Sequence, residues 1–444
     1  MIVSVSPREW VAALSTANES SLPRAPTRAR PGESKQARCR WHASPAMALD
    51  IGGGWITMDR FHPPRREARK KRTSILSKKR LACIVGARPN FMKMAPLLRA
   101  LGEYPQVEAV LIHTGQHYDK NLSDVFFDEL EMPRPDISLE VGSGKHGQQT
   151  ARVIERFEEV LESAAAEGRP FDRVVVVGDV NSTMAATIAA VKLDVPVAHV
   201  EAGLRSFDRQ MPEEINRIVT DSICDMLLVS EPSGVENLRD EGRPAEQVHL
   251  VGNIMIDTLK ALLPKAQAKD TLERLDLTAG HYGVITLHRP SNVDQPETLG
   301  PLLDVLIEAS AEVPMIFPIH PRTRQRIERF GLNDKVEAAE GLMLAPPLGY
   351  LDFLCLTSQS RLIVTDSGGL QEESTVLGIP CLTARFNTER PVTVTEGTST
   401  LVGNDPAKLR EGLRAIVDRT YKEGRCPELW DGGAAQRIAQ LLAG

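Results

Sequence analysis

Residues 361–375, RLIVTDSGGLQEEST, combine backbone and side chains suited to holding an anion. A short β-branched run, Leu362 to Thr365, gives way to Ser367-Gly368-Gly369 and then to a helical pattern carrying Glu372 and Glu373. A strand that turns through Ser-Gly-Gly into a helix leaves unpaired backbone N–H groups at the helix start, where phosphate binds well. The glycines lack a Cβ, so an anion can approach the backbone closely. Glu373 falls roughly 7 Å further along the axis, at about 1.5 Å per residue. From there it is too far to repel phosphates strongly, yet it can accept hydrogen bonds from ribose hydroxyls. The stretch reads as a nucleoside diphosphate clamp; an ordinary strand–turn–helix is the alternative.

Other residue types with chemistry to do are spread along the chain. Asp179 follows four valines and a glycine, a poor place for a carboxylate that only aids solubility. Capping the helix that begins near Ser182 is its other explanation. Glu201 lies in HVEAGLRSF, and Glu213 and Glu214 in MPEEINR, where Pro212 and first-turn acids are also what simple capping produces. Asp179, Glu201 and Glu213 together form a set of acids able to converge in one cleft. Like charges held close raise at least one pKa, as a general acid or base near neutral pH requires. His288-Arg289 ends one strand and His320 the next, and either histidine can protonate or hydrogen-bond a diphosphate leaving group. His199, inside a strand, reads as structural. Arg88 and Lys93 can set two positive charges near an anion, or simply form a solvated basic helix start. Arg385 and the run Thr388 to Pro391 follow the strand after the glycine clamp, in reach of base or phosphates.

Parallel α/β architecture must position these groups. From residue 80 onward, strands alternate with helices: LACIV, VEAVLIH, RVVVV, VPVAHVEA, DMLLV and QVHLV, each followed by a turn or helix. After Gly252-Asn253 the alternation starts again with YGVITLH, VPMIFPIH, LMLA, LIVT and IPCLT. This spacing means parallel sheets with helices on both faces. The expected fold is two Rossmann-like doubly wound domains with a cleft between them. The first covers residues 80–252 plus a returning helix at 430–444, and the second, 253–429, binds the nucleotide. Arg88, His117, Asp179, Glu201, His288, His320 and Ser367 each fall at or just after a strand end, where such sheets bind ligands.

The totals set limits. The 444 residues are enough for two or three domains, and 42% hydrophobic with 25% charged content is ordinary for a globular protein. A net charge of −6 gives no support for nucleic-acid binding, and no apolar run is long enough to span a membrane. The six cysteines are scattered without a C-x-x-C pair, which fits a reducing cytoplasm and neither a disulfide framework nor a zinc site. There is no G-x-G-x-x-G and no P-loop; GSGKHG at 142–147 has the wrong spacing. Nicotinamide and ATP are rejected as cofactors, no metal is expected, and no serine nucleophile elbow is present. Residues 1–79 are rich in Arg, Lys and Pro without apolar period and are expected to be disordered, or to begin at a start set too far upstream, with Met47 or Met58 the true initiator.

Over residues 80–444 the chain resembles the non-hydrolysing UDP-N-acetylglucosamine 2-epimerases. The motifs, in order, are GARPNFMKMAPL, TGQHYD, VVVVGDVNST, HVEAGLRSFDRQMPEEINR, VGN, TLHRPSN, PIHPRT, TDSGGLQEE and NTERPVTVTEGT. The resemblance implies a fold like that of GT-B glycosyltransferases and the interconversion of UDP-GlcNAc and UDP-ManNAc without a cofactor. The implied route is anti elimination of UDP to a 2-acetamidoglucal, then re-addition. By the same resemblance Asp179, Glu201 and Glu213 match the acidic catalytic residues and His288 the histidine near the diphosphate. Arg88, Ser367, Gly368 and Gly369 match phosphate contacts, Glu373 matches the ribose-binding glutamate, and Lys93 and His320 match further active-site positions. Many members read HRREN where this chain has His288-Arg289-Pro290-Ser291-Asn292. That change puts in doubt a second UDP-GlcNAc site, which Gln116, His117 and Arg289 would serve. A cytoplasmic homodimer supplying cell-surface polysaccharide synthesis is the expected setting. Alternatives are a 2-epimerase of UDP-2,3-diacetamido-2,3-dideoxyglucuronate, a glycosyltransferase of the same architecture, and a non-catalytic UDP-sugar sensor.

Overall fold

Among the described residues thirteen parallel strands build two sheets, of seven and six strands, and each sheet runs outward in both directions from its first strand. In this computed structural model the described residues are 78–115 and 129–444, without the side chain of Arg88. Of the expected disordered extension, residues 1–79, all but Lys78 and Lys79 lie outside them, and Lys79 already opens the first strand, so that boundary falls earlier than expected; Gln116 and His117 also lie outside them. The first sheet comprises β1 (Lys79–Val85), β2 (Val107–His113), β3 (Ile137–Ser138), β4 (Arg173–Val177), β5 (Val197–Ala202), β6 (Met226–Val229) and β7 (Val248–Leu250), in the order β3-β2-β1-β4-β5-β6-β7. The second comprises β8 (Gly283–Thr286), β9 (Met315–Pro318), β10 (Leu342–Ala345), β11 (Leu362–Thr365), β12 (Cys381–Thr383) and β13 (Ser399–Leu401), in the order β10-β9-β8-β11-β12-β13. Both are Rossmann-like and doubly wound, as expected from the alternation of elements. Sequence reading did not foresee β3, which at two residues is too short to show a period.

The central strands β4, β5, β8 and β11 are short, mainly apolar runs buried almost throughout, so the sheets need helices above and below. In β4 the four valines are all essentially buried. The helices start with proline in their first turn at Arg88–Leu101, Pro212–Ile223, Pro321–Arg329 and Pro406–Val417. Proline at that place lacks only an N–H that has no intrahelical partner anyway. One apolar core joins Val85, Val175 and Val177 of the first sheet to Met94 and Leu97, to Leu259 and Leu262, and to Ile438 and Leu442 of the Ala434–Ala443 helix. It also takes in Tyr350 and Leu354 from the second half. Burying each such aliphatic side chain contributes about 1.5–3 kcal/mol. Trp430, with no exposed surface, seats the chain just before its last helix.

Doubly wound sheets bind ligands where the strand order reverses. Those points lie between β1 and β4 in the first sheet and between β8 and β11 in the second. The turns leaving these four strands carry Asp179, His288 and Ser367-Gly368-Gly369, and lead into the helix bearing Lys93.

Candidate active site

The anion-holding end is built where β11 stops. Ser367 is the extended N-cap residue of the helix Gly368–Leu377. A Cβ placed on Gly369 would meet nothing within 4 Å, so that face of the helix start is open. A Cβ on Gly368 would lie 2.9 Å from Glu389 Oε1 and 3.6 Å from Arg385 Nη1. Arg385 is buried and donates from Nη2 to Glu389 Oε2 at 2.6 Å. Its Nη1, also buried, has no hydrogen-bond partner among the described residues. Leaving such a donor unmet costs about 1–3 kcal/mol. Beside free helical N–H groups, that unmet guanidinium nitrogen makes an acceptor such as phosphate favourable.

Asp366 organises the facing loop. Its Oδ2 accepts from the backbone N–H of His288 at 2.9 Å and of Arg289 at 2.8 Å, and from Asn292 Nδ2 at 3.0 Å. His288 Nδ1 lies 2.7 Å from Asp366 Oδ1, which leaves Nε2 available. Burial alone would raise the Asp366 carboxyl, but the bond and charge of His288 outweigh it and hold the pKa below the usual range. The His320 ring lies 5.5 Å from that of His288. His320 Nδ1 accepts from Arg322 N at 3.1 Å, which puts its proton on Nε2. Burial first, then His288 and Arg322, pull His320 below its ordinary value, so it is neutral near pH 7. His288, His320, Leu348, Tyr350, Phe353 and Glu373 line a cavity of about 350 Å³ that ends against Ser367 and Gly369. Buried Glu373 accepts from the Tyr350 hydroxyl at 3.1 Å.

A second cavity of about 290 Å³ meets the first at Tyr350, Ser367 and Gly369. Its far walls carry Lys93, Asp179, Glu201, Arg217, Glu372, Glu389 and Arg390. Gly178, at φ 67°, turns the chain out of β4 and sends Asp179 toward the cavity. Arg217 Nη1 donates to Asp179 Oδ2 at 2.5 Å, and Asn216 Nδ2 to the Asp179 carbonyl at 2.8 Å. A bulge at Val200/Ala202 and a φ of 70° at Glu201 swing that side chain off the strand. A left-handed backbone is uncommon outside glycine and persists only where the surroundings hold it. Lys93 Nζ donates to Glu201 Oε2, and Arg390 Nη2 to Glu201 Oε1 at 2.6 Å.

The two acids are tuned in opposite directions. Burial raises Asp179 above its ordinary value, with Arg217 and Lys93 opposing it only in part. Burial also works to raise Glu201, but there Lys93 and Arg390 prevail and hold it below the usual range. Burial works against the Lys93 ammonium as well, yet the charges of Glu201, Asp179 and Glu372 keep its pKa raised. Carboxylates whose environments drive them apart are how acid and base roles are divided at one pH. His199 is structural, as its strand position suggested: Nδ1 lies 2.6 Å from Asp221 Oδ1 and Nε2 2.8 Å from the Gly178 carbonyl, bracing the turn below Asp179.

Lys93, Asp179, Glu201, His288, His320, Ser367, Gly368, Gly369 and Glu373 thus all line the paired cavities. Arg385 adjoins them. Arg289 packs behind, its Nε donating to the Asp366 carbonyl at 2.9 Å. Glu213 stands exposed, outside both linings, while its neighbour Glu214 is buried and braces Arg217 through bonds of 2.7 and 3.0 Å. Arg88 begins its helix directly after the first turn. Four charged cavity residues, Arg217, Glu372, Glu389 and Arg390, had no individual role in the sequence reading. Arg217 sits one helical turn after the Glu213-Glu214 pair, Glu372 beside Glu373, and Glu389 and Arg390 in the TERP run, where Arg390 binds the carboxylates of Glu201, Glu231 and Glu372.

Two Rossmann-like sheets, a polar cleft at both reversal points and an open glycine-rich helix start fit a nucleotide-sugar enzyme of GT-B-like architecture. The chain belongs to the UDP-N-acetylglucosamine 2-epimerase family, whose profile matches residues 99–443, and with that family it is an isomerase. It is 41% identical over 367 residues to a UDP-N-acetylglucosamine 2-epimerase homolog of Methanococcus maripaludis, covering 82% of this chain and 99% of that protein. It is 39% identical to the UDP-2,3-diacetamido-2,3-dideoxy-D-glucuronate 2-epimerase of Pseudomonas aeruginosa, over 82% of this chain and 99% of that one. The crystal structure of the Methanocaldococcus jannaschii UDP-GlcNAc 2-epimerase, in complex with UDP-GlcNAc and UDP, superposes with a TM-score of 0.72 at 39% identity, covering 82% of this chain and 99% of that one.

Proposed function

We propose that this protein interconverts UDP-GlcNAc and UDP-ManNAc. The observation that carries the reading is the pair of cavities meeting at Ser367 and Gly369. One is aromatic, with a single ribose-suited carboxylate, Glu373; the other is lined by acids and cations at the scale of a hexose. A nucleoside diphosphate sugar fits that order, with the diphosphate at the junction. In this reading a carboxylate takes the C2 proton, the C–H electrons form the C1=C2 bond, and UDP leaves with the C1–O pair. Because the C2 proton is not acidic, C1–O cleavage carries much of the transition state and charge grows on the diphosphate. The N–H groups of the 368–377 helix, Arg385 and His288 are placed to stabilise that charge. Asp179 and Glu201, approaching from the first half, are the candidates for the two faces of C2. Glu213, exposed here, joins them only if the loop before it moves.

The P. aeruginosa relative motivates a second reading, a diacetamido uronic acid as substrate. Against it, the described walls of the hexose cavity carry four carboxylates, Asp179, Glu201, Glu372 and Glu389, and three cations, Lys93, Arg217 and Arg390. The cations there are already paired with these carboxylates, so none is left to meet a further sugar carboxylate. Proton NMR in deuterium oxide, with each UDP-sugar in turn, tests both readings. Deuterium at C2 and appearance of the manno epimer from UDP-GlcNAc are expected; an unlabelled C2 refutes the epimerase. We also propose that residues 80–252 with 430–444 and residues 253–429 act as the two domains, and that the enzyme is a cytoplasmic homodimer in cell-surface polysaccharide synthesis. Light scattering in solution tests the dimer. No helix among the described residues is long and apolar enough to cross a membrane.

A further inference from the structure

Arg390 lies in the loop after β12, five residues beyond Arg385, and its guanidinium is almost wholly buried. It donates from Nη2 to Glu201 Oε1 at 2.6 Å, from Nε to Glu372 Oε1 at 2.8 Å, and from Nη1 to Ser230 Oγ at 2.5 Å and Glu231 Oε2 at 3.2 Å. Glu201 lies at the end of β5, and Ser230 and Glu231 follow β6 of the same sheet; Glu372 and Arg390 belong to the second half. The Trp430 ring lies 5.9 Å from the guanidinium carbon and donates its Nε1 proton to the Ser230 carbonyl at 3.2 Å. A single planar fork therefore spans the cleft floor and fixes one oxygen of Glu201, while Lys93 takes the other. Glu201 needs such holding, because its backbone is in the left-handed region on a bulged strand end.

We propose that Arg390 is a positioning residue, which reaches from the second half to set the Glu201 carboxylate in the hexose cavity. The inference rests on the epimerase reading above. A lysine at this position keeps the charge but cannot serve Glu201, Glu372 and Ser230 from one rigid plane. A displacement of about 1 Å in a reacting group is enough to cost about 10²-fold in rate.

The test compares wild type with Arg390→Lys, Arg390→Met and Glu231→Gln. For each, kcat and KM are measured with UDP-GlcNAc, UDP affinity by calorimetry, and the ratio of free UDP and glucal to epimer by NMR. The expected result for Arg390→Lys is a loss in kcat of about 10²-fold with KM and UDP affinity little changed. More free glucal per epimer is also expected, because a misplaced acid returns the C2 proton late. Arg390→Met falls further than Arg390→Lys. Glu231→Gln leaves the arginine in place and gives the same signature more weakly, which keeps the test decisive if the Arg390 variants do not fold. Variants that lose UDP affinity and kcat in parallel, with an unchanged glucal ratio, overturn the proposal. A wild type that neither epimerises nor labels C2 overturns the epimerase reading instead, and the proposal falls with it.

Discussion

Gly369→Ala separates what the helix start does for folding from what it does for binding. Gly369 is the second residue of the helix Gly368–Leu377 and lines both cavities. The added methyl meets no atom within 4 Å, so nothing in the protein opposes it. Alanine is the better helix former by about 0.5–1 kcal/mol, and the thermal midpoint without ligand is expected to rise slightly. In the proposed binding mode, however, the methyl fills the space through which a phosphate oxygen reaches the backbone. Loss of one hydrogen bond to a charged acceptor costs about 1.5–3 kcal/mol. At about 1.4 kcal/mol per decade, UDP affinity falls roughly 10- to 150-fold. Scanning calorimetry of the free protein and titration calorimetry with UDP read the two effects separately. The neighbouring Gly368→Ala is the control: its methyl would stand 2.9 Å from Glu389 Oε1, so both midpoint and affinity fall. Wild-type UDP affinity in Gly369→Ala refutes the placement of the diphosphate. A lowered midpoint in that variant refutes the open space on which the calculation rests.

Other consequences follow from the same geometry. Asp179→Asn is expected to lower kcat about 10²- to 10⁴-fold while UDP still binds. Burial raises Asp179 above its ordinary value of 3.8, and a base works only when ionised, so wild-type kcat/KM falls as pH drops through that raised pKa. The residual activity of the asparagine variant lacks this acid limb, as a pH–rate profile will show. Arg385→Met removes the unmet Nη1 donor and is expected to weaken UDP binding about 10- to 150-fold by titration calorimetry, since bonds to charged groups are worth about 1.5–3 kcal/mol. Unchanged affinity there places the anion elsewhere. Trp430→Ala empties a fully buried indole site and is expected to cost about 3–5 kcal/mol in urea unfolding. A change under about 1 kcal/mol would mean the site collapses around the missing ring.

Strand ends were the legible part of this chain. A parallel sheet puts all its carboxyl-end turns on one edge, so a polar residue after each apolar run can be assigned to a shared cleft without knowing distances. Asp179, Glu201, His288 and Ser367 were found that way. Helix and loop residues offer no comparable rule. Glu213 and Glu214 are adjacent and chemically identical, yet successive helical residues point about 100° apart. One is exposed and the other grips Arg217, and only packing decides which. The bulge at Glu201 is likewise invisible, because HVEAG reads as a strand end with or without it.

Arg390 shows the deeper reason the site was only half readable. Its partners Glu201 and Glu231 lie 189 and 159 residues away, on the other side of the cleft. No local pattern encodes that meeting. The pKa of Glu201 is held down by Lys93 from the first half and Arg390 from the second, against the burial that both halves impose. The depressed pKa of Glu201 thus draws on both halves, Lys93 first and Arg390 second, while burial lifts Asp179.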